Sequence, residues 1–270
     1  MPSIVVDQSR CSKDGLCIDV CGLGLLTFGQ DGYPQTRKPE RCIACGHCMA
    51  VCARDALSLD SVARSGLVPI EPTLTPQPEQ VEQLMRARRS IRSFRETLVP
   101  AERIKRIIQT ANMAPSGMNQ RPIRWTVMTG REQLQVLSQH VIDWMKICIE
   151  HEPQTAAFLD LASIVRNWPK RDPLRGAPHL VVAHGPKSNP MTPGSGPIAM
   201  TYFELAAEAH GVGTCWAGYL MMAGRAGYSP LLVALGIPEQ DLLVSSMMFG
   251  FSKLRFRSIP SRPEPQITWR

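Results

Sequence analysis

Seven of the nine cysteines in this 270-residue chain fall within its first 52 residues, in two blocks of equal length. The second block reads Cys42-x2-Cys45-x2-Cys48-x3-Cys52. The first reads Cys11-x5-Cys17-x3-Cys21, with Asp14 where the pattern would place another cysteine. Aligned, Cys-Ser-Lys-Asp-Gly-Leu-Cys-Ile-Asp-Val-Cys and Cys-Ile-Ala-Cys-Gly-His-Cys-Met-Ala-Val-Cys are one motif written twice. Such spacing constrains the backbone tightly, because side chains this close in sequence must wrap around whatever they share.

Thiolates at Cys-x2-Cys-x2-Cys spacing hold three corners of a cubane iron–sulfur cluster, and in bacterial two-cluster ferredoxins the fourth ligand comes from the other block. The opening of the chain resembles such a module with one ligand altered. Crossing the blocks gives one site of Cys42, Cys45, Cys48 and Cys21, expected to hold a [4Fe–4S] cluster. The other site is Cys11, Asp14, Cys17 and Cys52. It is either a four-iron cluster with an aspartate oxygen on one iron or a [3Fe–4S] cluster with Asp14 beside the open corner. Thiolate is the softer and tighter iron ligand, so the Asp14 corner is expected to be the labile one. A zinc ribbon could use the four cysteines of the second block, but it leaves the degenerate first block unexplained. A disulfide framework suits a secreted chain, whereas Met1-Pro2-Ser3 begins no targeting peptide. Gly22 and Ala53 stand where a proline usually follows the last cysteine.

The length leaves room for a module of about 60 residues and a domain of about 190. Four prolines between Ser65 and Gln80 forbid a regular helix there and favour an extended connector. The expected organisation is therefore 1–64, a Pro-rich linker over 65–80, and a domain over 81–270. No apolar run reaches membrane-spanning length. Reduced, metal-bound cysteines point to the cytoplasm. The net charge of +7 suits an anionic cofactor or an acidic redox partner, and no nucleic-acid recognition motif is present.

After the linker, Val81, Leu84, Met85, Arg88 and Ile91 follow helical spacing, with Pro78 able to open the first turn. Pro100 opens a second helix with the stripe Ile104, Ile107, Ile108 and Ala111. Residues 123–129 read as a strand, 132–148 as a helix, 180–183 as a short buried strand, 198–210 as a helix and 242–251 as a strand. Beyond Lys253 the chain is basic and Pro-rich and reads as an extended arm. Strands and helices do not alternate regularly, and no Gly-x-Gly-x-x-Gly follows a strand. The expected class is α+β. Cys148 and Cys215 read as buried apolar cysteines without electropositive sequence neighbours. Met221-Met222 and Met247-Met248 read as core filler.

Four segments in order resemble the nitroreductase family of FMN enzymes. They are Arg88-Arg89-Ser90-Ile91-Arg92-Ser93-Phe94 with Val99-Pro100, Ala114-Pro115-Ser116-Gly117-Met118-Asn119, Gly211-Val212-Gly213-Thr214-Cys215-Trp216-Ala217-Gly218, and Gly250-Phe251 followed by Arg257 and Pro260-Ser261-Arg262-Pro263. Together with the opening blocks, the whole chain resembles the ferredoxin-fused branch of that family. The resemblance implies a mixed sheet flanked by helices, preceded by a small bacterial ferredoxin-like module. It implies FMN phosphate and ribityl contacts from Arg88, Ser90, Arg92 and Arg262, and backbone approach to the flavin ring at Arg89. It also implies a homodimer in which Pro115, Ser116 and Asn119 serve the partner subunit's flavin, with Ala217 and Gly218 beside the reactive edge and Gly218 N–H on flavin N5. Arg121 and Ala217 depart from the residues usual in the family, both near the substrate side, so no substrate carries over.

The expected function is an oxidoreductase in which the clusters pass single electrons to FMN, which reduces a nitroaromatic, quinone or activated alkene. Ferredoxin, flavodoxin or NAD(P)H is the expected donor. The rival is an electron carrier or iron–sulfur redox sensor whose second domain turns over nothing.

Overall fold

The computed structural model describes residues 4–270. Met1-Pro2-Ser3, read above as no targeting peptide and as the start of the 1–64 module, lies outside the described residues. The chain divides into two compact units. One runs to Thr75 and takes in Met118–Gln120; the other comprises Pro76–Gly117 and Arg121–Arg270.

The first unit contains β1 (Ile4–Val6), α1 (Leu16–Asp19), β2 (Leu26–Phe28), β3 (Pro34–Thr36), α2 (His47–Ala50) and β4 (Leu57–Leu59). β1 pairs antiparallel with β4, and β2 with β3. The sequence repeat is a backbone repeat too. Lys13, Gly15 and Gly24 have positive φ, and so, at the same offset as the cysteines, do Ala44, Gly46 and Asp55. Gly15 and Gly46 are the left-handed residues that cap α1 and α2, the short helices carrying Cys17 and Cys48. A side chain there would strain the turn that separates the second ligand position from the third. The buried core is small: Cys17, Leu26, Cys48, Met49, Leu57 and Leu59. The stretch 65–80 holds a 3-10 turn at Pro72–Leu74, and Pro78 starts the next helix, where a missing N–H costs nothing.

The second unit runs α3 (Pro78–Ala87), α4 (Ala101–Ala111), β5 (Arg124–Thr129), α5 (Arg131–His151), α6 (Pro153–Phe158), α7 (Leu161–Arg166), β6 (His179–Pro186), α8 (Thr192–Ala209), β7 (Gly213–Trp216), α9 (Gly218–Arg225), α10 (Ser229–Ala234) and β8 (Asp241–Gly250). The sheet order is β5-β6-β8-β7, all antiparallel. Alternate residues face opposite ways along a strand. Val181, Ala183, Met247 and Phe249 therefore pack with Ile104, Ile107, Met200 and Phe203 from α4 and α8. Leu180, Val182 and Met248 pack instead with Leu134, Val141, Leu220 and Ala223 from α5 and α9. Cover on both faces explains why Leu180-Val181-Val182-Ala183 is a continuous apolar run. Met247, Met248, Cys148 and Cys215 are buried, as expected.

Several boundaries differ from the sequence reading: β6 and α5 run beyond the predicted 180–183 and 132–148, and two larger differences have a clear cause. The helix predicted through Ile91 stops at Ala87. Arg88 is already extended, Ser90 forms a parallel bridge with Thr214, and Ile91 N donates to Thr214 O at 2.7 Å. Gly213 makes this possible, since a Cβ there would lie 2.5 Å from Ile91 Cγ1. Backbone pairing at the sheet edge thus overrides a helical apolar spacing. The helix predicted over 198–210 begins earlier, at Thr192, because Pro193 lies in its first turn, where no N–H is needed. The segment 253–270 has no helix or strand and is exposed throughout.

Candidate functional site

In the first unit, both crossed ligand sets come together. Cys21, Cys42, Cys45 and Cys48 line one cavity of about 270 Å³, with Leu25 and Leu26 among its apolar walls. Cys11, Asp14, Cys17 and Cys52 line another of about 20 Å³. The two cysteines that cross over occupy matching positions in the repeat. Cys21 Sγ accepts from Leu25 N at 3.4 Å, and Cys52 Sγ accepts from Ala56 N at 3.2 Å. Such bonds to ligand sulfurs help set cluster potentials. Burial, followed by the neighbouring Cys45, pushes the Cys48 thiol up to about 11. Burial, followed by Cys11, also raises Cys17. Bound iron would relieve this crowding of like charges. Among the described residues, no three His, Cys, Asp or Glu side chains converge as ligands of a single ion do. Four thiols around a cavity instead suit a body that takes one ligand at each corner.

Asp14 is exposed and turned onto its own loop. It accepts from Ser12 Oγ at 2.8 Å and from Leu16 N at 3.1 Å, bonds that hold its carboxyl below the usual range. Further along the chain, Ser116 Oγ accepts from Arg121 N at 2.8 Å, closing the base of a loop. Pro115 and Ser116 line a small cavity near Trp125. The tip of that loop belongs to the first unit, where Asn119 Nδ2 donates to Ile43 O at 2.9 Å and to Ala44 O at 3.1 Å.

In the second unit, three of the four predicted phosphate and ribityl contacts, Arg88, Ser90 and Arg92, lie near β7. Arg88 is held by an ion pair with Glu204 at 2.9 Å, and Ser90 bridges to Thr214. Burial raises the Cys215 thiol, while Arg92, Arg175 and Arg88 oppose that rise electrostatically. The electropositive neighbours that Cys215 lacks in sequence thus surround it in space. Arg175 escaped the sequence reading. It sits in a left-handed turn (φ 57°) whose neighbours Leu174 and Gly176 donate their N–H groups to Asp172. The run Asp-Pro-Leu-Arg-Gly signals a turn, but nothing in it says where the guanidinium goes.

Ala217 is buried and caps α9, with its N–H on Ser246 O at 3.0 Å. Gly218 opens that helix, and a Cβ built on it would meet nothing within 4 Å. Nothing in the chain therefore demands glycine there, while the open face leaves room for a flat ligand. Thr214 Oγ1, one residue from Cys215, is buried without a hydrogen-bond partner. One guanidinium held by an ion pair, Arg88, with the exposed Arg92 and Arg175, an orphaned hydroxyl and an open backbone face fit a phosphate-bearing planar cofactor. Arg89 lines a different cavity of about 240 Å³ with Glu208 and Arg255. Arg262 lies in the exposed 253–270 segment, and among the described residues no ion pair or hydrogen bond ties it to the β7 group.

A buried polar network stands apart from these residues. Asp241 accepts from Arg124 Nη1 at 3.0 Å and pairs with His184 Nδ1 at 2.7 Å, while His184 Nε2 meets Thr126 Oγ1 at 3.1 Å.

The nitroreductase family profile matches residues 85–251, and a 4Fe-4S dicluster domain matches residues 3–53. One component of the Na(+)-translocating ferredoxin:NAD(+) oxidoreductase complex of Acetobacterium woodii is 33% identical over 58 residues, or 22% of this chain. The chain spans only 17% of that relative's length. Among solved structures, a nitroreductase with bound FMN from Desulfitobacterium hafniense has a TM-score of 0.58 at 21% identity, covering 72% of this chain and 99% of that one. A nitroreductase with bound FMN from Bacteroides fragilis has a TM-score of 0.57 at 19% identity, covering 70% and 99%. Oxidized iodotyrosine deiodinase bound to FMN and 3-iodo-L-tyrosine has a TM-score of 0.54 at 22% identity, covering 70% and 97%. At these identities the structural likeness is one of fold. No helix among the described residues is long and apolar enough to cross a membrane. The nitroreductase profile spans the larger part of the chain and includes the four-stranded sheet, and the dicluster match spans both cysteine blocks: the chain belongs to the nitroreductase family, as an FMN-dependent oxidoreductase fused to a 4Fe-4S dicluster domain.

Proposed function

We propose that the iron–sulfur domain feeds electrons singly to FMN, which delivers them to a small organic acceptor such as a nitroaromatic, a quinone or an activated alkene. The observation that carries this reading is the crossed ligand set: two separated cavities, each completed by a cysteine from the opposite half of the repeat. Two such centres in one small module suit electron relay.

The chain's own residues divide the remaining work. Cys21, Cys42, Cys45 and Cys48 hold one cluster; Cys11, Cys17 and Cys52 hold the other, with Asp14 at its labile corner. Arg88, Arg92 and Arg175 neutralise the FMN phosphate, with Arg262 joining from the C-terminal segment. Ser90 contacts the phosphate and ribityl region, and Arg89 approaches the ring through its backbone. Ala217 and Gly218 would lie beside the reactive flavin edge, where Gly218, having no side chain, lets its backbone N–H donate to N5. We further propose a homodimer, in which the segment of Pro115, Ser116 and Asn119 serves the partner subunit's flavin, Asn119 through its backbone because Ile43 O and Ala44 O engage its amide. Ile198 and Tyr202, four residues apart on α8, are exposed apolar side chains of the kind a subunit interface covers.

The test is iron, acid-labile sulfide and flavin per chain in protein purified without oxygen, followed by anaerobic reoxidation of the reduced flavin. Seven or eight irons would be expected, roughly as the two cluster types require, together with one FMN and acceptor-dependent reoxidation. Reoxidation only by another redox protein would replace the enzyme with an electron carrier. Iron without flavin, even after adding FMN, would remove the flavin role.

A further inference from the structure

We propose that Asn119 is a positioning residue of the four-cysteine centre: its amide clamps the Ile43–Ala44 loop between two ligands and lends its N–H dipoles to the cluster bound there. The inference rests on the assignment of Cys21, Cys42, Cys45 and Cys48 as cluster ligands.

The two halves of the repeat secure the corresponding loop differently. In the Cys11 half, the loop between the first two ligand positions is Ser12-Lys13. It is secured from within, because Asp14 accepts from Ser12 Oγ and Leu16 N. In the Cys42 half, the equivalent position is Cys45, whose sulfur is committed to iron and cannot play that part. The equivalent loop, Ile43-Ala44, is held from outside instead. Asn119 Nδ2 donates one hydrogen bond to each of its carbonyls, at 2.9 and 3.1 Å. Both partners are acceptors, so chemistry fixes the orientation of the amide and uses both of its N–H groups.

The backbone that presents this amide is itself constrained. Met118 and Asn119 both have positive φ, 50° and 52°, without being glycine. Residues held in that region carry a steric cost, and they persist where surrounding contacts over-determine them. Met118 and Asn119 also share an open cleft of about 490 Å³ with Arg41 and the ligand Cys42. The amide is therefore beside the cluster loop. Hydrogen bonds and dipoles around a cluster shift its reduction potential. The positive ends of the N–H groups point toward the loop, so they favour the state carrying one more electron.

The experiment compares full-length Asn119→Ala, Asn119→Asp and Asn119→Gln with the parent protein, purified without oxygen. It reads EPR-monitored redox titrations of both clusters and FMN per chain. Alanine is expected to move the midpoint of the four-cysteine centre to more negative potential. Aspartate, which adds negative charge beside the same loop, moves it further; glutamine, which keeps the donors, recovers part of the shift. The Cys11-set centre stays where it was and serves as an internal reference. Loss of the four-cysteine cluster alone, with FMN retained, also supports the clamp. Unchanged cluster signals in all three variants overturn it, and unchanged signals with weakened FMN binding make Asn119 a flavin contact instead. If alanine does not fold, the near-isosteric aspartate decides. The underlying ligand assignment fails separately, if Cys48→Ala leaves iron and sulfide in the parent background undiminished.

Discussion

The two units of this chain are stabilised in opposite ways. The first has a core cluster of six residues, of which Cys17 and Cys48 are themselves proposed ligands. The second buries both faces of a four-stranded sheet beneath helices. A module whose core includes its metal ligands has little left to hold it when the metal leaves, because metal binding is then part of the folding free energy. The larger unit carries its own apolar core and needs no such staple. One unit is built around its cofactors; the other is built first and then binds one.

Iron removal is the most severe test of that contrast. Chelation after oxidation should abolish the protease resistance of the first unit entirely, while the cooperative melting of the second persists. Equal loss in both units would break the comparison. Asp241→Ala is the converse. It removes the fully buried carboxylate that accepts from half-exposed Arg124 and pairs with buried His184, and should cost the second unit about 3 kcal/mol in urea unfolding, leaving the cluster spectra intact.

His179 gives an effect that depends on pH. It is buried against Phe249, its Nε2 accepts from Val99 N at 2.9 Å, and burial lowers its pKa to about 4. The unfolded chain takes up a proton near the ordinary histidine value, and the native state does not until about pH 4. Stability should therefore fall as pH is lowered through this window, by roughly 3 kcal/mol in total. Urea unfolding of His179→Gln against the parent at pH 7 and pH 5 isolates the contribution; identical pH slopes would refute it. Asp14→Cys should change stability least and sharpen the contrast within the first unit. It is expected to give an all-thiolate four-iron cluster, and identical EPR before and after would show that the two blocks are aligned wrongly.

Legibility followed the range of the interactions. The two ligand blocks between Cys11 and Cys52 were legible because ligand spacing is a local constraint, whereas their crossing came from the resemblance to two-cluster ferredoxins. The strand at Leu180 was visible because burial on both faces leaves an unbroken apolar run, and the one at Leu242 because only Ser245-Ser246 and Gly250 interrupt such a run. Arg88 and Ile91 misled, since their spacing with Val81 and Leu84 mimics a helix, whereas an edge pairing with Thr214 decides their conformation. The early start of α8 was hidden by Pro193, which a first helical turn tolerates, and by Pro197, which lies inside the helix. Arg175, Glu204 and Cys215 meet only through tertiary folding, and no local pattern announces such a meeting. The carbonyl partners of Asn119 were equally out of reach, because they lie far back in the chain.

Cys45 is the exposed member of its four-cysteine set. An iron bonded to that sulfur would sit close to solvent, within easy tunnelling distance of a visiting protein's own redox centre. The same opening admits dioxygen and peroxide, which attack exposed clusters first. An inlet placed there would be quick to load and quick to corrode, so a cluster that took up electrons through Cys45 would last longest in surroundings poor in oxidants.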